Sequence, residues 1–182
     1  MKFGHFAAAV LILAPAGAMA AHVAFPAQGA SACYTREYTG QQMAGHPNQK
    51  LNRVFVKIAN RLSAERDYNS ATVVATGRDG QFYSNDNAGC EQKKDGTLLC
   101  SVECDGGSFS LIPLDSRINL KVTPDYYFPL YKPGADIANP RPEDQLSLMG
   151  ADKDNNLYRL FPADMGQCDA AWEAAKSQTP GC

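Results

Sequence analysis

Histidine is scarce in this chain, with three residues in 182, and tryptophan occurs once. One histidine, His5, stands in the first few residues, which leaves His22 and His46 for chemistry. A zinc site built on His and Cys therefore has little to draw on, and nucleophilic catalysis has one credible histidine base, His46, in the turn-like Ala44-Gly45-His46-Pro47. Basic surplus is also missing. Seventeen Lys and Arg stand against nineteen Asp and Glu, so no excess of cations exists to release counterions from a nucleic acid, and no nucleic-acid partner is expected. Beyond residue 13 no apolar run approaches the roughly 20 residues that a membrane helix needs, and no transmembrane segment is expected. The G-x-S-x-G elbow, the H-E-x-x-H helix, the phosphate-binding Gly loop and the dinucleotide fingerprint are all absent. No catalytic residue, metal ligand or cofactor is assigned.

What is present begins with a leader. Lys2, an apolar run over residues 6–13, Pro15 and the small residues of Ala18-Met19-Ala20 form a secretory signal peptide over residues 1–20, cut before Ala21. Ala30-Ser31-Ala32-Cys33 lies too far beyond that apolar core to be a lipidation site. Residues 21–32 read as a flexible lead, residues 33–168 as a disulfide-stapled β domain, and residues 169–182 as a short helix and tail. Export points to the periplasm or the extracellular space.

The six cysteines, Cys33, Cys90, Cys100, Cys104, Cys168 and Cys182, all follow the leader. An even number in an exported chain reads as a disulfide framework. Cys90 and Cys100 flank Asp95-Gly96, and a three-residue loop of Lys94, Asp95 and Gly96 would set them directly opposite each other. Cys104 is then left for Cys33 or Cys168, and Cys182 for Cys168 or for no partner. Redox chemistry is disfavoured, because Cys100 and Cys104 have C-x3-C spacing in a strand context rather than C-x-x-C at a strand-to-helix turn.

Turn pairs recur along the domain: Asp79-Gly80, Asp95-Gly96, the Asp105-Gly106-Gly107 run and Asp115-Ser116, each between short alternating segments. Val54, Val56 and Ile58 share one face, as do Phe109 and Leu111, and as do Ile118, Leu120 and Val122. Arg53, Phe55, Lys57, Ser108, Ser110, Arg117, Asn119 and Lys121 fall on the opposite, mostly polar faces. The pattern predicts a mainly β fold, a small antiparallel meander barrel of about eight strands, with a sandwich as the alternative. One short helix is expected over residues 169–178, with Asp169 as N-cap, and a second helical turn within residues 39–47, limited by Gly45 and Pro47. Asp152, Asp154 and Asn156 imitate the start of a calcium loop. Leu157 and Ala163 break that match, so the segment is expected to be a hairpin turn joining residues 145–151 to 157–163.

One segment departs from this rhythm. Residues 123–145 hold five prolines and four aromatics and read as a long stiff loop. Tyr126, Tyr127, Phe128 and Tyr131, with Lys132 and Arg141, are the candidate ligand-binding residues, since tyrosine offers a flat apolar face with a polar tip. The competing reading is that Tyr127 and Phe128 plug an open end of the barrel. Paired carboxylates among Glu91, Glu103, Asp105, Asp125 and Asp144 would serve a glycosidase, but acidic residues at turns need no such explanation.

The run Cys33-Tyr-Thr-Arg-Glu-Tyr-Thr39, His46-Pro47 and Cys100-Ser-Val-Glu-Cys104-Asp-Gly-Gly resembles small exported bacterial proteins of uncharacterised function over residues 33–168. That resemblance implies no activity, cofactor or catalytic residue. The compact stapled barrel also looks like periplasmic lysozyme-inhibitor domains in architecture. The expectation is a non-enzymatic exported module that binds a protein, peptide or glycan of the cell envelope, an inhibitor of an extracellular hydrolase being one version. A small hydrolase using carboxylates or His46, and a structural envelope protein, are the alternatives.

Overall fold

Short alternating runs joined by tight turns can pair only with their chain neighbours, and the wall of this protein is built that way. The computed structural model describes residues 25–61, 68–103 and 106–176; the expected leader, Cys104, Asp105 and Cys182 lie outside them. Among the described residues the strands are β1 (Ser31–Glu37), β2 (Leu51–Arg61), β3 (Tyr68–Gly77), β4 (Phe82–Gln92), β5 (Leu98–Ser101), β6 (Ser108–Leu114), β7 (Arg117–Lys121), β8 (Tyr127–Tyr131), β9 (Gln145–Met149) and β10 (Leu157–Ala163). Strands β1 to β7 pair antiparallel in sequence, and β10 pairs with β7 and β1 to close an eight-stranded barrel. The meander barrel is therefore as expected, with β8 and β9 as an excursion between β7 and β10.

The face assignments hold. Val54, Val56, Ile58, Phe109, Leu111, Ile118, Leu120 and Val122 are all buried in one lumen cluster, joined by Tyr158 and Leu160 of β10. Lys93 N–H donates to Thr97 O at 2.8 Å, and Gly96 takes the left-handed conformation at φ 84°, which is the three-residue turn the sequence predicts. Cys90 then faces Cys100 with Cα atoms 4.0 Å apart, and the two are bonded.

Four expectations change. First, Cys168 bonds to Cys33 across 135 residues, so neither Cys182 nor Cys104 can take it. Second, the C-terminal helix α2 (Met165–Ala174; α1 being the capped turn Gly40–Gly45) starts earlier than expected. Asp164 is its N-cap, while Asp169 lies within it and pairs with Lys57 at 2.6 Å. Third, residues 25–30 are tied to the end of β2: Gly29 N–H donates to Asn60 O, Asn60 N–H to Ala30 O, and Asn60 Nδ2 to Pro26 O. Fourth, residues 150–156 are no hairpin turn, because β9 pairs with β8 and β10 with β7 and β1.

The proline-rich stretch also holds a strand. β8 pairs with β9 and touches β4 at one position, Ser84 opposite Tyr131. β5 covers only residues 89–92 of β4, so the first half of β4 would present a bare edge without this hairpin. Phe128, Leu130 and Leu148 are buried in the lumen cluster, and at roughly 1.5–3 kcal/mol each they hold the hairpin down. The Phe128 ring lies 4.4 Å from that of Phe109, centroid to centroid, and Asn85 Nδ2 donates to Pro129 O at 2.9 Å. The barrel-plug reading is thus right for Phe128.

Helix α2 lies on the outer face of β1 to β3, where Cys33, Phe55 and Val74 pack with Cys168 and Ala171. This explains why Phe55, placed by alternation on the wet side, is buried. The chain returns from the hairpin through Gly150, where an added Cβ would sit 1.6 Å from Thr123 O. Gly150→Ala should therefore cost about 1–3 kcal/mol, the range for overpacking, read by urea denaturation; a loss below that range would mean the strand end yields freely. In the chain-entropy picture the 135-residue loop closed by Cys33–Cys168 is worth about 5 kcal/mol and the short one closed by Cys90–Cys100 about 3. Replacing each pair with Ser should preserve that order, and equal losses would contradict it.

Candidate functional site

The lumen is filled by large side chains, among them Tyr158, Phe109, Phe128 and seven leucines, all fully buried. Ligand contacts must be sought on the outside. The six residues singled out by sequence fall in different settings. Phe128 is core, and Tyr131 is buried beside β4, with burial raising its phenol pKa. Lys132 Nζ lies 5.7 Å from the ring centroid of Tyr83, whose hydroxyl donates to Asp79 at 2.7 Å. Burial, then that bond, pushes the Tyr83 pKa up to about 12. Arg141 is held by Asp144 at 2.6 Å. Only Tyr126 and Tyr127 of the six, 55% and 38% exposed, present their rings to the outside, and Tyr126 borders a cleft of about 940 Å³ lined also by Asn60, Asn69, Leu99, Ser101 and Thr123.

A different surface brings apolar rings together. Outward-facing Phe55 of β2, Phe82 of β4 and Phe161 of β10 line a groove of about 600 Å³ along the flank of α2, with Gln167, Ala170 and Ala171 as its wall. Thr35 sits opposite Phe161 on one side and Phe55 on the other, so the floor runs across three neighbouring strands. The ion pair of Arg53 with Glu37 stands on the rim. Phe161 is 38% exposed. These rings come from distant parts of the chain, and no local motif announces them.

Arg36 marks one end of the groove. The β1–β10 ladder stops at Thr35–Phe161, although β1 runs on to Glu37 and β10 starts at Leu157. In this parting of the wall the Arg36 guanidinium lies between two rings, 5.2 Å from the centroid of Tyr38 and 5.5 Å from that of Phe161. Such contacts favour a cation and fix its place. Beyond it opens a second cleft of about 400 Å³, lined by Tyr38, His46, Lys153, Asp154 and Arg159, with Arg36 common to both. His46 Nδ1 is 3.5 Å from Asp154 Oδ1. No Ser, Thr or Cys lines this cleft among the described residues, and Tyr38 supplies its hydroxyl.

Asn155 fixes the far wall of that cleft. Its side chain is fully buried and fully bonded: Oδ1 accepts from Lys50 N–H at 2.7 Å and from the Tyr158 hydroxyl at 3.1 Å, while Nδ2 donates to Asn48 O and Asp152 Oδ2, both at 2.8 Å. The segment that resembled a calcium loop is thus pinned to the β1–β2 connection by one amide. Asn155→Ala leaves the buried Tyr158 hydroxyl and the part-buried Lys50 N–H and Asn48 carbonyl without their partner and should cost about 3 kcal/mol, measured by denaturant unfolding; a change under 1 kcal/mol would show that the two connections do not depend on each other. Comparison with protein-family models, with curated proteins and with solved structures finds no match to this chain.

Proposed function

We propose that the protein is an exported, non-enzymatic binding module that captures an extended segment of an envelope protein in the groove beside α2. The observation that carries this reading is the row of Phe55, Phe82 and Phe161 on the outer wall of a barrel whose lumen is full. Helix α2 covers the apolar part of β1 to β3 and stops short of Phe161, so the groove offers ring surface to a partner side chain. Binding energy concentrates at such aromatic anchors. Arg36 at its end has no carboxylate partner among the described residues, which suits a segment carrying an acidic residue next to an apolar one. Two disulfides fit an oxidising compartment, the periplasm or the outside of the cell. No helix among the described residues is long and apolar enough to cross a membrane.

Peptide-library selection against the oxidised protein, followed by calorimetric titration of the enriched peptides, tests this. The enriched sequences should place an aromatic or aliphatic residue beside Asp or Glu. Phe161→Ser should weaken them at least about tenfold, the effect of removing one anchor, while Tyr126→Ser leaves them unchanged. Peptides that ignore Phe161→Ser, or a selection that enriches nothing, would sink the reading.

A further inference from the structure

We propose that the cleft bounded by Arg36, Tyr38, Lys153 and Arg159 is an oxyanion-binding site for a small carboxylate or phosphate ligand. It stands whether or not the groove beside α2 takes a peptide.

Five cations elsewhere on the surface are paired with a carboxylate, Arg53 with Glu37, Lys57 with Asp169, Lys93 with Glu91, Arg141 with Asp144 and Lys176 with Glu173. Lys50 and Arg78 donate to backbone carbonyls, and the unpaired remainder among the described residues, such as Lys94 and Lys121, do not share a cleft with one another. Three that line this one cleft, Arg36, Lys153 and Arg159, have no carboxylate partner among the described residues. Among the described residues the one carboxylate on its lining is Asp154, which His46 faces at 3.5 Å. With His46 neutral the cleft carries a formal +2 inside a chain whose net charge is -2. Charge of one sign held in a concave site focuses potential and draws anions.

The arrangement is more specific than loose surface charge. Arg36 Nε is buried and has no hydrogen-bond partner, and the ring contacts on Tyr38 and Phe161 hold the guanidinium in position before a ligand arrives. A planar guanidinium fixed in this way matches the two oxygens of a carboxylate or phosphate, and little side-chain freedom remains to be lost on binding. The Tyr38 ring packs edge-on against buried Tyr158. Burial raises its phenol pKa, while the Arg36 charge, a hydrogen bond with the Arg159 backbone and the Arg159 charge act in the opposite direction. The phenol hydroxyl is a further donor to a bound oxygen. Asn155 keeps the residue 153–154 wall in place.

The test is a titration of the isotope-labelled, oxidised protein followed by amide chemical shifts. Citrate and glycerol phosphate are the anionic probes, and glycerol with sodium chloride at matched ionic strength is the control. Saturating shifts at residues 36–38 and 153–159 are expected; saturation by citrate alone identifies a carboxylate ligand, by glycerol phosphate alone a phosphate ligand, and by both an unselective oxyanion site. Arg159→Gln, at an exposed position, should weaken binding about tenfold, the loss of one charge-assisted hydrogen bond. Arg36→Gln should abolish it. Because Arg36 is half-buried in the wall and Arg159 is exposed, Arg159→Gln is the variant that leaves the fold intact and decides the matter. Shifts reproduced by sodium chloride, or unchanged in Arg159→Gln, would overturn the proposal.

Discussion

The rest of the structure depends on the seam between β1 and β10. A meander of seven strands has two free edges, and this one is closed only when the chain, 36 residues past β7, lays β10 between β7 and β1. The closing ladder is short, three residue pairs from Cys33–Ala163 to Thr35–Phe161. What reinforces it is covalent. Cys33 belongs to β1 and Cys168 to the helix that directly follows β10, so the disulfide ties the first strand of the barrel to the element after the last. The bond also clamps α2 over Phe55 and Val74. Closure of the wall, docking of the helix and the shape of the groove therefore share one fastening.

A filled lumen decides where function can be. Barrels of this strand number either pack their interior with side chains or keep room for one small ligand, and here the β8–β9 hairpin adds Phe128, Leu130 and Leu148 to an interior already occupied by Phe109 and Tyr158. Besides the cleft bordered by Tyr126, two outer surfaces remain where regular structure ends, the flank of α2 and the parting of β1 from β10. Both contain Arg36.

The wall was legible in the sequence because its determinants are local. Strict alternation at Val54, Val56 and Ile58 and at Ile118, Leu120 and Val122 gives the inner face, and Asp-Gly pairs give the turns. β8 was missed because prolines usually argue against strands. Pro129 is tolerated because β8 pairs with β9 on one side and meets β4 only through Tyr131, so its missing N–H breaks no central ladder. The helix start was misplaced because Gly166, one residue into α2, hides a beginning that Asp164 marks. The candidate site was the least legible part, since Phe55, Phe82 and Phe161 come together only through strand register and the helix laid beside them.

Arg36 was nevertheless a signal in plain view. Along β1 alternation puts Cys33 and Thr35 outside and Tyr34 inside, and Arg36 takes the phase of Tyr34, opposite buried Val54. A guanidinium in the packed lumen would be a buried charge without a partner, which folding does not tolerate. The fold answers by ending the β1–β10 ladder one residue earlier, so that the side chain rests between the Tyr38 and Phe161 rings at the wall. Leucine at position 36 would satisfy the alternation and let the ladder run on. The chain instead seats a cation where the ladder ends, at the junction of its two clefts, and the binding proposed above rests on that placement.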